Sequence, residues 1–192
     1  MKELTLKITG ISPILLSADK LADPLDPATI AHKALTSKRK KTEEDHLAIA
    51  RSQWEGLLYW DDDMNVILPT QTIRATLLNG AKMNKLGTQI KRGTIMLEDK
   101  VPLDYGRKLT KDQLWEARYI DRRSVVVSNS RVMAYRPKFK DWSAKFTIAY
   151  DESILDELDI LRSMQNAGSF VGIGGFRPEK SGTFGRFEVA IV

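Results

Sequence analysis

The chain has 192 residues and a hydrophobic content of 42%, enough for the core of one domain or of one domain with an insertion. It contains no cysteine, which excludes a disulfide framework and a thiolate metal site. No apolar run approaches the ~18 residues of a membrane span and the N-terminus does not resemble a signal peptide, so we expect a cytoplasmic protein without a membrane partner.

The positive charge of the chain is concentrated in one central segment. The net charge is +5, and residues 107–140 alone carry +7, which leaves −2 for the rest of the chain. A localised excess of Lys and Arg indicates a polyanionic partner. We therefore expect this protein to bind a nucleic acid.

The first part of the chain predicts one strand followed by a helical insertion. Residues 2–9 alternate in polarity, which is typical of a half-buried strand. We interpret residues 17–63 as the insertion. It contains a short helix over residues 28–35 and a second helix that Thr42 caps and that ends near residue 56.

The second part predicts the remaining strands and helices. An amphipathic helix over residues 70–82 has Thr70 as its expected cap. A later helix is expected to be capped by Ser153 and to end at Gly168. The predicted strands cover residues 94–103, 142–150 and 187–192, and residues 66–68 form a short apolar run.

A basic segment, residues 104–141, predicts a projecting hairpin with its turn at Ser128-Asn129-Ser130. Without this hairpin and the insertion, the order is strand, helix, strand, strand, helix, strand. In this order two helices can cover one face of a four-stranded antiparallel sheet and leave the other face open. We therefore predict a single α+β domain, residues 1–192, with a ferredoxin-like or RRM-like core of the kind that RNA-recognition domains use.

The loop over residues 172–186 combines glycine with cations. Five of the 12 glycines of the chain fall within 14 residues here. Glycine permits positive φ and the close approach of another group, and Arg177, Lys180, Ser181 and Arg186 lie among the glycines. Backbone N–H groups and cations together suit a phosphate chain, whereas a plain hairpin turn is the other interpretation.

The basic hairpin is a second candidate for phosphate binding. Guanidinium groups on a projecting element can bind phosphates, and aromatic rings nearby can stack on bases. The aromatic residues in or beside it are Trp115, Tyr119, Tyr135, Phe139 and Trp142. The alternative is a solvated hairpin whose charges favour solubility and whose rings belong to the core. The cationic block at residues 38–41 is open to three interpretations: contact with a nucleic-acid backbone, a nuclear-type address, or a solvated linker.

Catalytic residues are only weakly indicated. Asp19 or Asp23 can assist cleavage by a 2′-hydroxyl or hold a metal, and His32 can act as an acid or base. We favour turns for the aspartates and a surface helix position for the histidine. The sequence contains no Walker-type loop, zinc spacing or Ser/His/Asp pattern, and we expect neither a cofactor nor a metal.

Three motifs resemble the RAMP superfamily (repeat-associated mysterious proteins), and especially the backbone subunits of CRISPR effector complexes. They are the end of the first strand with residues 9–15, Thr-Gly-Ile-Ser-Pro-Ile-Leu; residues 68–75, Leu-Pro-Thr-Gln-Thr-Ile-Arg-Ala; and the Gly-rich loop with the last strand, residues 172–192. Thr70 stands where the family has a glycine. The resemblance covers roughly half of the chain, and the insertion and hairpin match the family's variable lobes and thumb only in placement.

The resemblance implies a ferredoxin-like core that binds the backbone of a single-stranded guide RNA. In that family the basic residue of the helix motif, here Arg74, and the Gly-rich loop contact phosphates. The thumb inserts between bases and reaches the next copy or a paralogous subunit, which gives a filament. Some relatives cleave RNA with an aspartate after the first strand or process it with histidine. Asp19, Asp23 and His32 lie in no matching motif.

The leading hypothesis is a non-catalytic subunit of a ribonucleoprotein in antiviral defence that binds single-stranded RNA, or single-stranded DNA. The alternatives are an endoribonuclease of the same fold and a stand-alone phage-type binding or assembly protein. The residues expected to contact the strand are Arg74, Lys82, Arg122, Arg123, Arg131, Arg136, Lys138, Phe176, Arg177, Lys180, Ser181 and Arg186.

Overall fold

The computed structural model describes residues 1–192, apart from the side chain of Val127. The predicted α+β class is confirmed, because helices combine with antiparallel sheets. The strands are β1 (Lys2–Gly10), β2 (Ile14–Leu15), β3 (Trp60–Asp61), β4 (Asn65–Pro69), β5 (Thr94–Met96), β6 (Lys100–Pro102), β7 (Ile120–Val127), β8 (Ser130–Phe139), β9 (Ser143–Tyr150) and β10 (Phe187–Ile191). The helices are α1 (Pro27–Thr36), α2 (Glu43–Gly56), α3 (Thr70–Lys82), α4 (Gly87–Gly93), α5 (Lys111–Leu114) and α6 (Glu157–Asn166).

The chain divides into two compact units. We call the first the sheet unit; it comprises Met1–Ile14, Trp60–Lys108 and Lys140–Val192. We call the second the hairpin unit; it comprises Leu15–Tyr59 and Leu109–Phe139. The insertion and basic hairpin drawn from the sequence cover the same two stretches as the hairpin unit, with boundaries that differ by a few residues.

A four-stranded sheet in the order β10-β1-β9-β5 forms the centre of the sheet unit. On one face of it, Leu6 and Ile8 of β1 lie opposite Phe146 and Ala144 of β9, and all four are buried. α3 and α6 contact each other through a close approach at Gly80, where an added Cβ would lie 2.2 Å from the carbonyl oxygen of Ser163. Small residues at such crossings let two helices pack backbone to backbone.

The other face of the sheet is polar. Lys7 lies opposite Lys145, and Thr5 lies opposite Thr147 with their hydroxyl oxygens 3.2 Å apart. The described side chains of β1, β9 and β10 on this face include no aromatic ring. This face therefore differs from that of an RNA-recognition domain, which stacks bases on aromatic side chains.

The single strand predicted over residues 94–103 is wrong. β5 pairs with β9, whereas β6 pairs with β4 in a separate three-stranded sheet. The hydroxyl of Thr70 donates to the carbonyl oxygens of Glu98 and Asp99, each at 2.6 Å, and so fixes the turn between the two strands. The N-cap of α3 is Pro69, so the prediction that Thr70 caps the helix is wrong as well.

Both predicted ends of the later helix, now α6, are wrong. Its cap is Asp156, whose carboxylate accepts a hydrogen bond of 2.7 Å from the N–H of Asp159, while Ser153 donates to Asp151. The helix continues through Gly168 as a π-helical turn and ends at Gly172, which has a φ of +73°. Gly168 meets a packing requirement instead, because an added Cβ would lie 2.1 Å from the carbonyl oxygen of Phe187.

The two possible caps of α6 give a matched pair of variants. We expect Asp156→Ala to lower the free energy of unfolding by about 1 kcal/mol, because it removes the acceptor for an N-terminal N–H group. Ser153→Ala leaves that cap intact and is expected to change stability by less than about 0.5 kcal/mol. Urea denaturation of both variants measures the difference. Equal effects would mean that Asp156 does not cap the helix.

In the hairpin unit, both predicted helices are confirmed. Asp26 caps α1, with Pro27 at the first position, and Thr42 caps α2 in a capping box with Asp45. A hydrogen bond from Lys38, together with the Thr42 N–H, lowers the pKa of Asp45 to about 2. β7 and β8 form the predicted antiparallel hairpin, and β2 is the third strand of their sheet.

The turn of the hairpin and the core of this unit follow from local residues. Ser128 and Asn129 connect the strands with φ values of +47° and +66°, which is typical of a two-residue turn of type I′. Trp54 of α2 is fully buried, and its indole N–H donates to the carbonyl oxygen of Tyr119 at 3.1 Å. A buried tryptophan whose N–H has a partner fixes α2 over the chain that enters β7.

Candidate nucleic-acid interface

The Gly-rich loop is folded onto itself by its own backbone. The N–H of Ile173 donates to the carbonyl of Gly185 at 2.9 Å, and the N–H of Gly182 donates to that of Arg177 at 3.0 Å. An added Cβ on Gly182 would lie 1.7 Å from the carbonyl oxygen of Phe176. Glycine is thus required here by close packing, and the loop is more elaborate than a plain hairpin turn.

The same loop is joined to the end of β1. The N–H of Gly185 donates to the carbonyl of Pro13 at 2.8 Å, and the N–H of Arg186 donates to the hydroxyl of Ser12 at 2.9 Å. The N–H of Ile11 donates to the carbonyl of Arg186 at 2.9 Å. The first and third of the motifs found in the sequence are therefore in direct contact.

Three adjoining concavities follow one side of α3, and we call this continuous surface the α3 groove. Arg74 lines the first, of about 260 Å³; Arg177 and Gly174 of the Gly-rich loop line the second, of about 270 Å³. Lysines from α3 and α4 line the third, of about 570 Å³. Neighbouring concavities share side chains of α3: Gln71, Ala75 and Asn79. The groove thus brings together residues of the second and third motifs.

Cations dominate the α3 groove. They are Arg74, Lys82, Lys85, Lys91 and Arg177. Acidic side chains line only the concavity at the Arg74 end, where Glu98 and Asp99 lie; the described linings of the other two contain none. A concave surface lined by one sign of charge concentrates the potential that attracts a polyanion.

Hydrogen bonds within the protein position two of these guanidinium groups. Arg74 donates to the carbonyl of Lys91 at 3.0 Å, which links α3 to α4. Arg177 donates to the carbonyl of Gly174 at 3.1 Å and to Glu179 at 2.7 Å. In the described part of the chain, Lys85 and Lys91 form no side-chain ion pair, so their ammonium groups can bind an added anion.

Two backbone donors lie beside Arg177. The N–H groups of Gly174 and Gly175 donate to no other group among the described residues. Gly174 has a φ of +84° and lines the groove. Successive N–H groups next to a guanidinium suit a phosphate oxygen.

The other residues predicted in the Gly-rich loop lie outside the described lining of the α3 groove. Phe176, Lys180 and Ser181 are exposed, and Phe176 and Ser181 have positive φ values of +52° and +58°. The guanidinium of Arg186 donates to the carbonyl of Ser169. Only Arg177 of the predicted loop residues therefore joins Arg74 and Lys82 along the groove.

Two of the predicted hairpin cations are less available to a ligand, one because of hydrogen bonds and the other because of burial. Arg123 donates two hydrogen bonds, of 2.6 and 2.5 Å, to the buried carboxylate of Asp121. Arg136 lies opposite Asp121 in the strand register and is half-buried, and this burial lowers the pKa of its guanidinium. These two side chains belong to the packing of the hairpin.

The remaining predicted cations of the hairpin are more accessible. Arg122 is exposed, and its guanidinium carbon lies 5.6 Å from the centroid of the Tyr135 ring. Arg131 is exposed near the turn, and Lys138 is half-buried. In the basic block, Lys38 pairs with Asp45 and the ammonium of Lys41 donates to the carbonyl of Lys38, so local contacts hold part of that block as well.

The three weak catalytic candidates take part in local structure. Asp19 precedes a single 3₁₀ turn, and the carboxylate of Asp23 accepts a hydrogen bond of 2.9 Å from the N–H of Leu25. The ring Nδ1 of His32 lies 3.2 Å from the hydroxyl oxygen of Ser52. The described residues include no group of three or more His, Cys, Asp or Glu side chains that could hold a metal ion.

The pH dependence of the free energy of unfolding tests the environment of His32. Burial lowers its pKa below the usual 6.5, so the unfolded chain takes up a proton at a higher pH than the folded protein does. Its contribution to stability is therefore complete above about pH 6.5 and is lost as the pH falls through the lowered value. We expect the free energy of unfolding to fall less between about pH 7.5 and 5.5 in His32→Gln than in the wild type. Identical pH profiles from denaturant titrations would contradict this.

Protein-family models and curated proteins give no evidence on the family of this chain. No protein-family model matches this chain, and no curated protein matches it. Membership of the RAMP superfamily therefore stays a prediction. Among the helices described, none combines the length and the apolar character that crossing a membrane requires.

Sequence reasoning missed two cations of the α3 groove, Lys85 and Lys91. The signal was present: residues 64–97 contain five Lys or Arg and no acid. The net charge of −2 outside residues 107–140 concealed this run, because acids elsewhere in the chain offset it. A charge count in short windows would have found the segment.

Proposed function

We propose that this chain binds single-stranded nucleic acid, RNA in particular, by placing the phosphate backbone in the α3 groove. The observation that carries the proposal is the row of five cations along α3, with acids only at one end. Each ammonium or guanidinium group that neutralises a phosphate releases a counterion, which makes binding strong at low salt and weak at high salt.

Because the exposed face of the sheet is polar, we expect the sheet unit to recognise the sugar-phosphate backbone of a strand and not its bases. The lysines and threonines of this face can contact phosphates or sugars, but they offer no ring on which a base can stack. We therefore infer weak sequence preference for this unit. A strand held in this way keeps its base edges available for pairing.

The strand order supports a ferredoxin-like core. α3 lies between β1 and β5 in the chain, and α6 lies between β9 and β10, while the sheet order is β10-β1-β9-β5. Counted among these four strands, the spatial order is fourth, first, third, second, which is what two interleaved β-α-β units give. The contact between the first and third RAMP-like motifs, and the groove that the second and third line together, support the same assignment.

We further propose that the protein acts as one subunit of a ribonucleoprotein, beside copies of itself or paralogous subunits. The direct experiment is fluorescence anisotropy with single-stranded RNA, single-stranded DNA and duplex of equal length at several salt concentrations. We expect the single strands, and RNA best, to bind with a steep salt dependence and with little dependence on sequence.

The same preparation tests assembly. Light scattering before and after treatment with ribonuclease should show large particles that dissociate when the RNA is digested. Absence of binding to every nucleic acid, or a preference for duplex, would overturn the proposed function. Particles that persist after digestion would instead favour a structural assembly protein.

A further inference from the structure

A second concave surface lies wholly within the hairpin unit, between α2 and the hairpin strands. Its volume is about 500 Å³, and we call it the α2 groove. Leu47, Trp115 and Tyr135 give it an apolar and aromatic lining, and Leu47 is 60% exposed. Glu43, His46 and Arg122 add charged or polar groups. The proposed binding of phosphates along α3 does not use this surface.

The two aromatic rings of the α2 groove are held in place. Trp115 packs edge-on against the buried Trp54, with ring centroids 5.6 Å apart and planes at 69°. The guanidinium carbon of Arg122 lies 5.6 Å from the centroid of the Tyr135 ring, and the backbone N–H of Tyr135 donates to the side-chain carbonyl of Gln53 at 3.1 Å. Rings fixed in this way lose little conformational entropy when a planar ligand stacks on them.

Polar atoms with no partner surround the apolar surface. The indole N–H of Trp115, the hydroxyl of Tyr135, the imidazole of His46 and the carboxylate of Glu43 make no hydrogen bond to any described residue. Together they offer both donors and acceptors. An apolar cleft with a few polar groups around it is the usual form of a site for a small ring-containing ligand.

We propose that the α2 groove binds a single nucleobase of the strand whose backbone the protein holds. The base stacks on Trp115 or Tyr135, and its edge bonds to His46 or Glu43. Arg122 binds the adjoining phosphate. The accessible cations of the hairpin support this occupant, because the exposed Arg122 and Arg131 and the half-buried Lys138 complement the phosphate that every base in a strand brings with it. This inference rests on the proposed function for the source of the base.

A strand that lacks bases distinguishes binding at the α3 groove from binding at the α2 groove. An abasic strand keeps its phosphates, so it can occupy a phosphate track but cannot fill a base site. The test is fluorescence anisotropy with a labelled oligouridylate and with an abasic strand of the same length, using the full chain. The variants are Leu47→Glu, which places a charge at the exposed rim of the α2 groove, and Trp115→Leu, which removes one stacking ring.

Ile30→Glu is the matched control. Ile30 is 56% exposed on α1 of the same unit and lies outside the lining of the groove. We expect Leu47→Glu and Trp115→Leu to weaken binding of the oligouridylate about tenfold, the size of one lost stacking contact, and to weaken binding of the abasic strand by less than about threefold. Ile30→Glu should alter neither. Leu47→Glu changes a side chain on the surface, so it tests the site even if Trp115→Leu fails to fold.

The outcomes distinguish this inference from the proposed function. If the wild type binds neither strand, both fail. If the wild type binds both strands and Leu47→Glu binds both as the wild type does, only the nucleobase site is wrong. If Leu47→Glu abolishes self-association without changing affinity for the oligouridylate, the groove binds a second copy of the chain, which also overturns the nucleobase assignment.

Discussion

Replacing Lys82, Lys85 and Lys91 together by glutamate is expected to lower the affinity for a single strand on the order of a hundredfold at physiological salt. All three line the concavity with the largest volume of the three in the α3 groove, and the described lining there contains no acid that already neutralises them. Each phosphate contact contributes about −0.7 to the slope of log affinity against log salt for single strands. Loss of three contacts should therefore reduce the magnitude of that slope by about two.

A variant with the same change in net charge provides the control. Lys20, Lys33 and Lys40 belong to the hairpin unit, and none lines the α3 groove among the residues described. Changing these three to glutamate alters the net charge by the same amount, and we expect less than about a threefold loss of affinity, from long-range repulsion alone. Equal losses in the two triple variants would show that net charge, rather than the groove, determines binding.

Gly185→Ala is expected to lower the free energy of unfolding by about 2–5 kcal/mol. Gly185 has a φ of +71°, and an added Cβ would lie 1.8 Å from the carbonyl oxygen of Ile173, the residue whose N–H bonds to Gly185. The substitution therefore combines backbone strain with a clash against rigid backbone. It also displaces the loop that carries Arg177, so affinity for a single strand should fall as well.

Gly106→Ala separates the contribution of backbone strain from that of the steric clash. Gly106 also has a positive φ, of +97°, but no atom lies within 4 Å of an added Cβ. We expect this variant to lose only about 1–2 kcal/mol, from strain, and to bind a strand like the wild type. Urea denaturation and anisotropy measure both properties. If the two variants are equally stable, the close packing of the Gly-rich loop has no energetic consequence.

The sequence predicted those elements whose signals are local. The alternation of β1, the cap Thr42 and the turn at Ser128 and Asn129 each depend on neighbouring residues, and the structure has all three. The split of residues 94–103 into β5 and β6 depends on Thr70, which is distant in sequence and bonds to the turn between them. Periodicity within a short apolar run cannot reveal such a contact.

The ends of α6 show the same limit. Ser153 and Asp156 both have side chains that can cap a helix, and the sequence alone does not choose between them. Glycine is common at the ends of helices, but Gly168 is required for a different reason. The backbone of Phe187 in β10 approaches it too closely for a side chain. α4 has no extended apolar periodicity; Ile90 is its buried hydrophobic residue, so the pattern gave little basis for predicting it.

The candidate interface was predicted in part. The spacing of apolar residues along α3 places Arg74 and Lys82 on its polar side, and the structure shows both lining the groove. Counting charges over the whole chain drew attention to the hairpin. In the folded protein, however, Arg123 donates hydrogen bonds to the buried carboxylate of Asp121, and Arg136 is half-buried. Whether a cation is accessible depends on its partners in the folded protein, and composition does not contain that information.

The most direct test of the central claim is a lysine footprint. The protein is acetylated briefly with and without a saturating single strand, and mass spectrometry gives the extent of modification at each lysine. We predict that Lys82, Lys85 and Lys91 are protected by the strand, while Lys20 and Lys33 are modified equally in both samples. Unchanged modification of the three groove lysines in the presence of a bound strand would contradict the account, because the strand would then lie elsewhere on the protein.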